Sequence, residues 1–293
     1  MKKRILITGA TGYLGSHLVH ACLAAGHRVA VLRRANSKLA RIETVLPQLE
    51  VFNVEEGIEK PFQNLDRVDA VIHTATCYGR NGDNAAAIFE ANTAFPLKLL
   101  EAAASFGVKS FINTDTSLEK YLNVYSLSKK QFMEWGMHFA RRSKLRFLNV
   151  RLEHFYGPRD DDSKFTSHVI KSCLDNVPEL KLTLGEQERD FIYIDDVVSA
   201  YLLLLEKMDS CDNAFVEYDV GSGRSVSIRE FVETAHRLAA SSTHLAFGAL
   251  PYRQGEVMHS EADISGLLTL GWQCRFNIET GLNRIIDQER NII

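Results

Sequence analysis

The stretch RILITGATGYLGSHLVHACLAAGHRVAVLRR, residues 4–34, decides the fold. An apolar run leads directly into Gly9, Gly12 and Gly15, then into an Ala- and Leu-rich segment with helical spacing that ends at Gly26, and then into a second apolar run. This order predicts a strand, a tight turn, a helix and a second strand parallel to the first. The stretch therefore predicts a βαβ unit, from which doubly wound parallel sheets are built.

Further apolar runs in the first half continue this alternation. They are DAVIHTA, SFINT and LRFLNVR, at residues 69–75, 110–114 and 145–151. A segment with helical spacing lies between the first two of them, at residues 85–107. Strands that alternate with helices predict a parallel sheet covered on both faces. We therefore predict an α/β fold with a Rossmann-type doubly wound parallel sheet.

The regular alternation fails from about residue 157, where the loop-like GPRDDDSK begins. We predict a first domain over residues 1–157 and a smaller C-terminal α/β region over residues 158–188 and 221–293. The segment at 189–220 contains FIYIDDVVSAYLLLLEKM, which looks like a strand entering a helix. We expect this segment to return to the first domain.

The composition narrows the class of protein. With 293 residues, of which 45% are hydrophobic, the chain can bury a substantial core. A net charge of -3 argues against binding to nucleic acid or to an anionic membrane. The run AYLLLLEKM is much shorter than the roughly 20 residues that span a bilayer. The five cysteines contain no C-x-x-C pair, which predicts reduced thiols and a cytoplasmic protein.

The glycine-rich turn between strand and helix predicts a dinucleotide site, because it lets backbone N–H groups and a helix N-terminus approach a pyrophosphate. Its spacing is G-x-x-G-x-x-G instead of the general G-x-G-x-x-G. Arg33 and Arg34 end the second strand, about twenty residues further on, where an acid would bind the ribose of NAD. A guanidinium there suits a 2′-phosphate, so NADP(H) is favoured. NAD(H) stays open, because the arginines could be a solvated surface pair.

Tyr125 and Lys129 are one helical turn apart, which places both side chains on one face of a helix. An ammonium beside a phenol favours the phenolate, so we expect Lys129 to lower the pKa of Tyr125 and ease proton exchange. The hydroxyl of Thr114, at the end of the preceding strand, could hold a substrate oxygen. The alternative is a turn-forming Thr-Asp-Thr and a surface Tyr/Lys pair.

Four motifs together resemble the extended short-chain dehydrogenase/reductase family: TGATGYLG, the Tyr125/Lys129 pair, RLEHFYGP and RDFIYIDDVV. The resemblance spans nearly the whole chain. It implies that the first domain binds the dinucleotide and that the C-terminal region binds a nucleotide sugar. It also implies that Thr114 takes the place of the catalytic Ser/Thr, Tyr125 that of the acid/base and Lys129 that of the lysine that contacts the nicotinamide ribose.

The same resemblance implies two sets of binding residues and no metal ligand. The expected cofactor contacts are Gly9, Thr11, Gly12, Tyr13, Leu14, Arg33, Asn53, Val54, Thr74, Ala75, Thr76, Asn92, Tyr125, Lys129, Leu152 and His154. The expected substrate contacts are Thr114, Tyr125, His154, Lys164, Phe165, Arg189, Arg253 and Glu256. Both arginines would contact the pyrophosphate, and Glu256 the nucleotide ribose.

Two departures from the family's pattern bear on the reaction. The family's sugar-nucleotide dehydratases carry Thr-Asp-Glu where this chain has Thr114, Asp115 and Thr116, so dehydration is disfavoured. The loop between the catalytic threonine and tyrosine is also much shorter than in its epimerases and dehydratases. The short loop, together with FINTD, YSLSKKQF, VRLEHFYGP and GEQERDFI, is similar to a subgroup that reduces a CDP-linked 4-keto-3,6-dideoxyhexose for bacterial surface polysaccharides.

We therefore predict an NADPH-dependent 4-ketoreductase that acts on a nucleotide-activated deoxysugar. One alternative is a 4-epimerase that retains tightly bound NAD, and another is a non-catalytic dinucleotide-sensing protein. Family members commonly dimerise by pairing two long helices of each subunit. Here these are the helix that ends near Phe106 and the helix that carries Lys129, whose Phe132, Trp135 and Phe139 form an aromatic stripe. We expect a homodimer.

Other polar clusters are expected to be structural. Asp195 and Asp196 precede an apolar helical run, so we expect them to stabilise a helix N-terminus. The adjacent acids of RDDDS, at residues 159–163, predict a solvated loop, because three neighbouring carboxylates cannot converge on one ion. His17 and His20 lack acidic or cysteine neighbours suited to a metal.

Overall fold

The computed structural model describes residues 2–80, 82–208 and 213–290 and divides the chain into two compact units. The first unit comprises residues 1–151 and 201–218, and the second comprises residues 152–200 and 219–293. The predicted boundary at 157 thus lies six residues beyond the observed one at 151, and only 201–218 of the segment 189–220 returns to the first unit. The reason is the strand Glu188–Tyr193, which pairs with strands of the second unit.

The strands are β1 Arg4–Thr8, β2 Arg28–Arg33, β3 Glu50–Asn53, β4 Ala70–His73, β5 Ser110–Thr116, β6 Arg146–Leu152, β7 His154–Tyr156, β8 Glu179–Leu182, β9 Glu188–Tyr193, β10 Phe215–Val220, β11 Ser225–Ser227 and β12 His244–Phe247. The α-helices are α1 Tyr13–Ala24, α2 Lys60–Asn64, α3 Ala85–Phe89, α4 Phe95–Ser105, α5 Val124–Ala140, α6 Phe165–Leu174, α7 Ile194–Lys207, α8 Ile228–Ala239, α9 Ser265–Thr269 and α10 Ile278–Arg290. A π-helical turn, Glu90–Ala94, joins α3 to α4.

A seven-stranded sheet with the order β10-β6-β5-β4-β1-β2-β3 forms the centre of the first unit. Strand β1 pairs in parallel with both β2 and β4, so that Leu6 lies opposite Ala30 on one side and Val71 on the other. The strand order reverses beside β1, which is where open α/β sheets bind ligands, at the carboxyl ends of the strands. The predicted doubly wound parallel fold is confirmed, although the sequence did not reveal β3 or β10.

Helix α5 is fixed at its start and along its buried face. Asn123 caps it: its side chain accepts the N–H of Ser126 at 2.8 Å, and the Ser126 hydroxyl accepts the N–H of Asn123 at 3.2 Å. Further along, Gly136 lets the helix approach Phe147, because a Cβ on Gly136 would lie 2.2 Å from the ring. Phe147 in turn stacks on Phe111 with ring centroids 5.5 Å apart. Capping and packing together set the register in which α5 presents its first turn.

The second unit has its own core. It contains a three-stranded sheet, β11-β9-β7, and the parallel pair β12-β8. Phe191 of β9 stacks on Phe231 of α8, with ring centroids 4.4 Å apart. Asp196, in the first turn of α7, is fully buried and accepts backbone N–H groups of Arg275 and Phe276. This role agrees with the structural interpretation of Asp196. In the RDDDS loop, however, Asp160 is buried and pairs with Lys164 at 2.8 Å, so only part of that loop is solvated.

Candidate active site

The end of β5 carries three polar residues whose side chains alternate across the sheet. Thr114 and Thr116 face one side and Asp115 the other, as the two-residue period of a strand requires. The hydroxyl of Thr114 is 2.7 Å from the phenol oxygen of the fully buried Tyr201, and either can be the donor. The resemblance predicted that Thr114 would stand beside Tyr125, but in this structure its hydroxyl is paired with Tyr201.

Tyr125 lies in the first turn of α5 and is half-buried. Burial raises its pKa above the usual value, and the neighbouring Tyr78 and Asp115 raise it further. The hydroxyls of Thr116 and Thr76, which hydrogen-bond the phenol, oppose this rise in pKa. The expectation that Lys129 lowers the pKa of Tyr125 was wrong, because burial raises this pKa and Lys129 is not among the groups that shift it. Tyr125 is thus a protonated phenol at neutral pH, flanked by two threonine hydroxyls.

Lys129 is buried one turn further along α5, with 1% of its surface exposed. Burial lowers its pKa from 10.5 to about 8, and Asp115 partly offsets that effect. His73, at the end of β4, is also fully buried, and burial together with Lys129 holds its pKa well below 6.5. The imidazole of His73 is therefore neutral, and its Nδ1 lies 2.7 Å from the Thr8 hydroxyl. Lys129 keeps most of its positive charge at neutral pH beside an uncharged neighbour.

The carboxylate of Asp115 is bound by protein groups on several sides. It accepts from Lys130 Nζ at 3.0 Å, from Asn149 Nδ2 at 2.9 Å and from the backbone N–H of Thr116 at 2.7 Å. Asp115 is 2% exposed, so these partners replace water around its charge. An acid held in this way fixes the end of β5 and neutralises Lys130, and it is not available as a general acid or base.

Asn92, in the π-helical turn, positions the loop after β4. Its Oδ1 accepts from the Cys77 N–H at 2.7 Å and from the Thr76 hydroxyl at 3.2 Å. Its Nδ2 donates to the Cys77 carbonyl at 2.8 Å and to the Ser128 hydroxyl at 3.0 Å. Asn92 is fully buried, and both ends of its amide bind protein atoms. Although the resemblance suggested a cofactor contact, its side chain here joins the loop that carries Thr76 to the helix that carries Tyr125.

The glycine-rich turn has the shape that a phosphate needs. Gly9 has φ +70°, and a Cβ there would lie 2.5 Å from the backbone nitrogen of Ala75. A Cβ on Gly15 would lie 2.1 Å from the carbonyl oxygen of Gly9, so both positions require glycine. Gly12 begins α1 without a side-chain cap, which leaves the N–H groups of the first turn to a ligand. A pyrophosphate fits this cradle.

The ends of β2 and β3 offer polar atoms for an adenosine. Arg33 donates through Nη1 to the carbonyls of Arg34 and Ala35, while its buried Nε has no hydrogen-bond partner. The buried Oδ1 of Asn53 likewise has none. Such orphaned groups are costly unless a ligand satisfies them. Glu55, which the sequence did not reveal, accepts the Ala35 N–H and lies in the same corner.

The other cofactor residues predicted in the first unit follow the strands β1, β3 and β4 or lie in the first turn of α1. They are Thr11, Tyr13, Leu14, Val54, Thr74 and Ala75. Together with the glycine cradle and the orphaned atoms, they fit a dinucleotide. The remaining two, Leu152 and His154, belong to the second unit. His154 Nδ1 lies 3.3 Å from a carboxylate oxygen of Glu153.

The second unit contains the predicted substrate residues of the C-terminal region. Arg189 is buried on β9 and donates to a carboxylate oxygen of Glu256 at 2.5 Å. The structure thus brings these two predicted residues together, whereas Arg253 is exposed. Lys164 pairs with Asp160 and lies 3.8 Å from the ring centroid of Phe155. The last of the set, Phe165, is partly exposed in the first turn of α6.

Comparison with known proteins identifies the family. A model of the NAD dependent epimerase/dehydratase family matches residues 5–221. The chain belongs to this family. It is 35% identical to the CDP-abequose synthase of Salmonella muenchen over 296 residues, which cover 99% of each chain.

Among solved structures, the UDP-glucose 4-epimerase of Thermotoga maritima is similar, with a TM-score of 0.86 and 23% identity over 99% of each chain. The UDP-glucose 4-epimerase of Thermus thermophilus, solved with NAD, has a TM-score of 0.84 and 25% identity over 99% of this chain and 100% of that one.

Family membership and full-length likeness make the chain an enzyme of the NAD(P)-dependent oxidoreductase and epimerase type that modifies nucleotide sugars. The predicted resemblance is thereby confirmed, and a non-catalytic sensing protein is set aside. In the described residues, no helix is both long and apolar enough to span a membrane, and no cluster of His, Cys, Asp or Glu suits a metal ion.

Proposed function

We propose that this enzyme reduces the 4-keto group of a nucleotide-activated deoxysugar with NADPH, and that the substrate is a CDP-linked 4-keto-3,6-dideoxyhexose. The observation that carries the proposal is the constellation at the end of β5. It contains a protonated phenol, a buried ammonium and threonine hydroxyls, while its carboxylate, Asp115, is engaged by Lys130 and Asn149. Ketone reduction needs a proton donor and no second acid. The likeness to CDP-abequose synthase supports the sugar.

Three residues of the first unit have separate roles in the reduction. Tyr125 donates its proton to the carbonyl oxygen, which its raised pKa allows because the phenol is protonated at neutral pH. Thr116 donates a hydrogen bond to the same oxygen. We assign this role to Thr116 in place of Thr114, because Thr116 hydrogen-bonds Tyr125 and Thr114 is paired with Tyr201. Lys129 stabilises the phenolate that remains after proton transfer.

The dinucleotide, when bound, supplies the hydride that reaches the carbonyl carbon. The glycine cradle of the first βα turn would hold its pyrophosphate, and Asn53 its adenosine. Arg33 supports the choice of NADPH, because it places a guanidinium at the end of β2, where a 2′-phosphate would bind. Leu152, His154 and the pair Arg189/Glu256 remain proposals for contacts to cofactor and substrate. We also propose that the enzyme is a cytoplasmic homodimer.

A 4-epimerase with tightly bound NAD is the second candidate, because similar solved structures are UDP-glucose 4-epimerases. One experiment separates the two. The purified protein is incubated with a CDP-linked 4-keto-3,6-dideoxyhexose and NADPH, and both NADPH oxidation and the product are followed. We expect one NADPH oxidised for each sugar reduced. Epimerisation of a UDP-hexose by a resident, non-exchanging NAD, without added NADPH, would refute the reductase.

Tyr125→Phe serves as the control for this assay. It should lower turnover by at least about 100-fold while it leaves dinucleotide binding nearly unchanged, because the lost hydroxyl transfers the proton and is only one of many expected cofactor contacts. Equal activity of the variant would remove Tyr125 from the reaction.

A further inference from the structure

Tyr78 is an aromatic side chain beside the candidate proton donor that the proposed chemistry does not use. Its ring centroid lies 5.1 Å from that of Tyr125, with the two planes inclined by 35°. The guanidinium of Arg80 lies over the Tyr78 ring at 4.7 Å from its centroid. Despite these neighbours, 42% of Tyr78 is exposed. Part of Tyr78 therefore remains accessible next to the hydroxyl that reacts.

The loop that presents Tyr78 is held on both sides of it. On one side, Asn92 binds both the N–H and the carbonyl of Cys77, at 2.7 and 2.8 Å. On the other, Gly79 has φ +71° and packs so closely on Ile88 that a Cβ would lie 2.7 Å from its Cδ1. An exposed aromatic on a fixed loop loses little conformational freedom when a ligand packs on it.

We propose that Tyr78 determines the enzyme's specificity for deoxysugars, by packing the exposed part of its ring against the deoxygenated carbons of the hexose. The inference rests on the proposed function, which places the sugar's keto carbon at Tyr125. A methylene or methyl group gains by leaving water for an aromatic surface. A hydroxyl in the same place would lose its hydrogen bonds to water without a partner. The ring thus favours the sugar that lacks the hydroxyl.

The test compares two substrates: a CDP-linked 4-keto-3,6-dideoxyhexose and the CDP-linked 4-keto-6-deoxyhexose that retains its 3-hydroxyl. Tyr78→Ala should lower kcat/KM for the first about 10- to 100-fold and for the second by no more than about threefold, so that the ratio of the two kcat/KM values falls at least about threefold. Tyr78→Phe keeps the ring and should keep the ratio within about twofold. Tyr121→Ala, at a tyrosine that is 75% exposed, is the matched control and should also keep it.

The inference would be overturned if the unaltered protein reduces the dideoxy substrate and Tyr78→Ala leaves the ratio of the two kcat/KM values unchanged. Failure of the proposed function is seen separately, as no NADPH oxidation by the unaltered protein with either substrate. Calorimetric affinities for the same two CDP-sugars then decide the inference without turnover. If the unaltered protein binds the dideoxy sugar more tightly and Tyr78→Ala abolishes this preference, the inference is supported. If the unaltered protein shows no preference, or if the variant keeps it, the inference is overturned.

Discussion

Thr116→Val tests the assignment of the hydroxyl that works with Tyr125. The substitution removes a hydroxyl that hydrogen-bonds the phenol of Tyr125. The same hydroxyl also accepts the backbone N–H of Leu118 at 3.3 Å. A hydrogen bond to a group that develops charge contributes about 1.5 to 3 kcal/mol, and about 1.4 kcal/mol corresponds to a tenfold change in rate. We therefore expect kcat/KM to fall about 10- to 100-fold, with little change in the free energy of unfolding.

Thr114→Val is the matched control, because Thr114 lies two residues earlier on the same face of β5. Its hydroxyl is 2.7 Å from that of the fully buried Tyr201. Removing it leaves a buried phenol without this partner, which should lower the free energy of unfolding by about 1 to 3 kcal/mol. We expect kcat/KM to stay within about threefold. Tyr201→Phe combined with Thr114→Val should recover part of the lost stability, as a double-mutant cycle would show.

Thr116→Val and Thr114→Val are compared by steady-state kinetics with NADPH and by urea unfolding of the same preparations. Thr116→Ser should keep most of the activity, because it restores the hydroxyl. The opposite pattern, a loss of at least about 30-fold in Thr114→Val with Thr116→Val nearly unchanged, would refute the reasoning.

Arg33→Asp should weaken NADPH relative to NADH about 10- to 100-fold in binding titrations, because it replaces a charge partner of the 2′-phosphate by a repulsive acid; an unchanged preference would place selection elsewhere. Since the pKa of Lys129 is about 8, kcat/KM should decline as the pH rises through that value, and Lys129→Arg should remove the decline. Gly136→Ala would put a methyl 2.2 Å from the Phe147 ring and should cost about 1 to 3 kcal/mol of stability in urea unfolding. Light scattering should give twice the 33.0 kDa chain mass, and Trp135→Glu, at a ring that is 44% exposed, should give monomers.

The fold was predictable where its signals are local. Gly9, Gly12 and Gly15 lie between an apolar run and a helical segment, and this order is sufficient to predict a βαβ unit. The domain boundary was not predictable in the same way. Strand β9 ends in an apolar run, FIY at residues 191–193, like those of the large sheet, but it pairs with β7 and β11 in the second unit. Which sheet a strand joins depends on contacts between residues far apart in sequence.

In the candidate site, too, features with a local sequence signal were predictable and features that depend on distant contacts were not. The spacing of Tyr125 and Lys129 places them on one helical face, and the structure agrees. Thr114 and Thr116 share one face of one strand, so spacing alone cannot choose between them. The distinction depends on Tyr201, which is 87 residues from Thr114 in the chain. The direction of the Tyr125 pKa was missed for a similar reason, because burial is a property of the folded chain.

The choice between the two threonines does not change the argument against dehydration. If Thr114 is the reacting hydroxyl, the next residue is Asp115, whose carboxylate is bound to Lys130 and Asn149. If it is Thr116, the next two residues are Ser117 and Leu118, and neither is an acid. Elimination of water needs an acid and a base beside the phenol. In either assignment this stretch supplies hydroxyls for a ketone oxygen and no acid/base pair.

The short loop before α5 gains its order from contacts within the loop and with the helix. The carboxylate of Glu119 accepts the N–H of Tyr121 at 2.7 Å, and Lys120 pairs with Glu134 of α5 at 2.6 Å. These contacts order the short loop and connect it to α5 at Glu134, whereas the resemblance implies a longer loop in the family's epimerases and dehydratases. We propose that neighbouring segments take the role in sugar binding that such a loop would have. Tyr78, fixed against Tyr125 on the loop after β4, is the side chain best placed to take it.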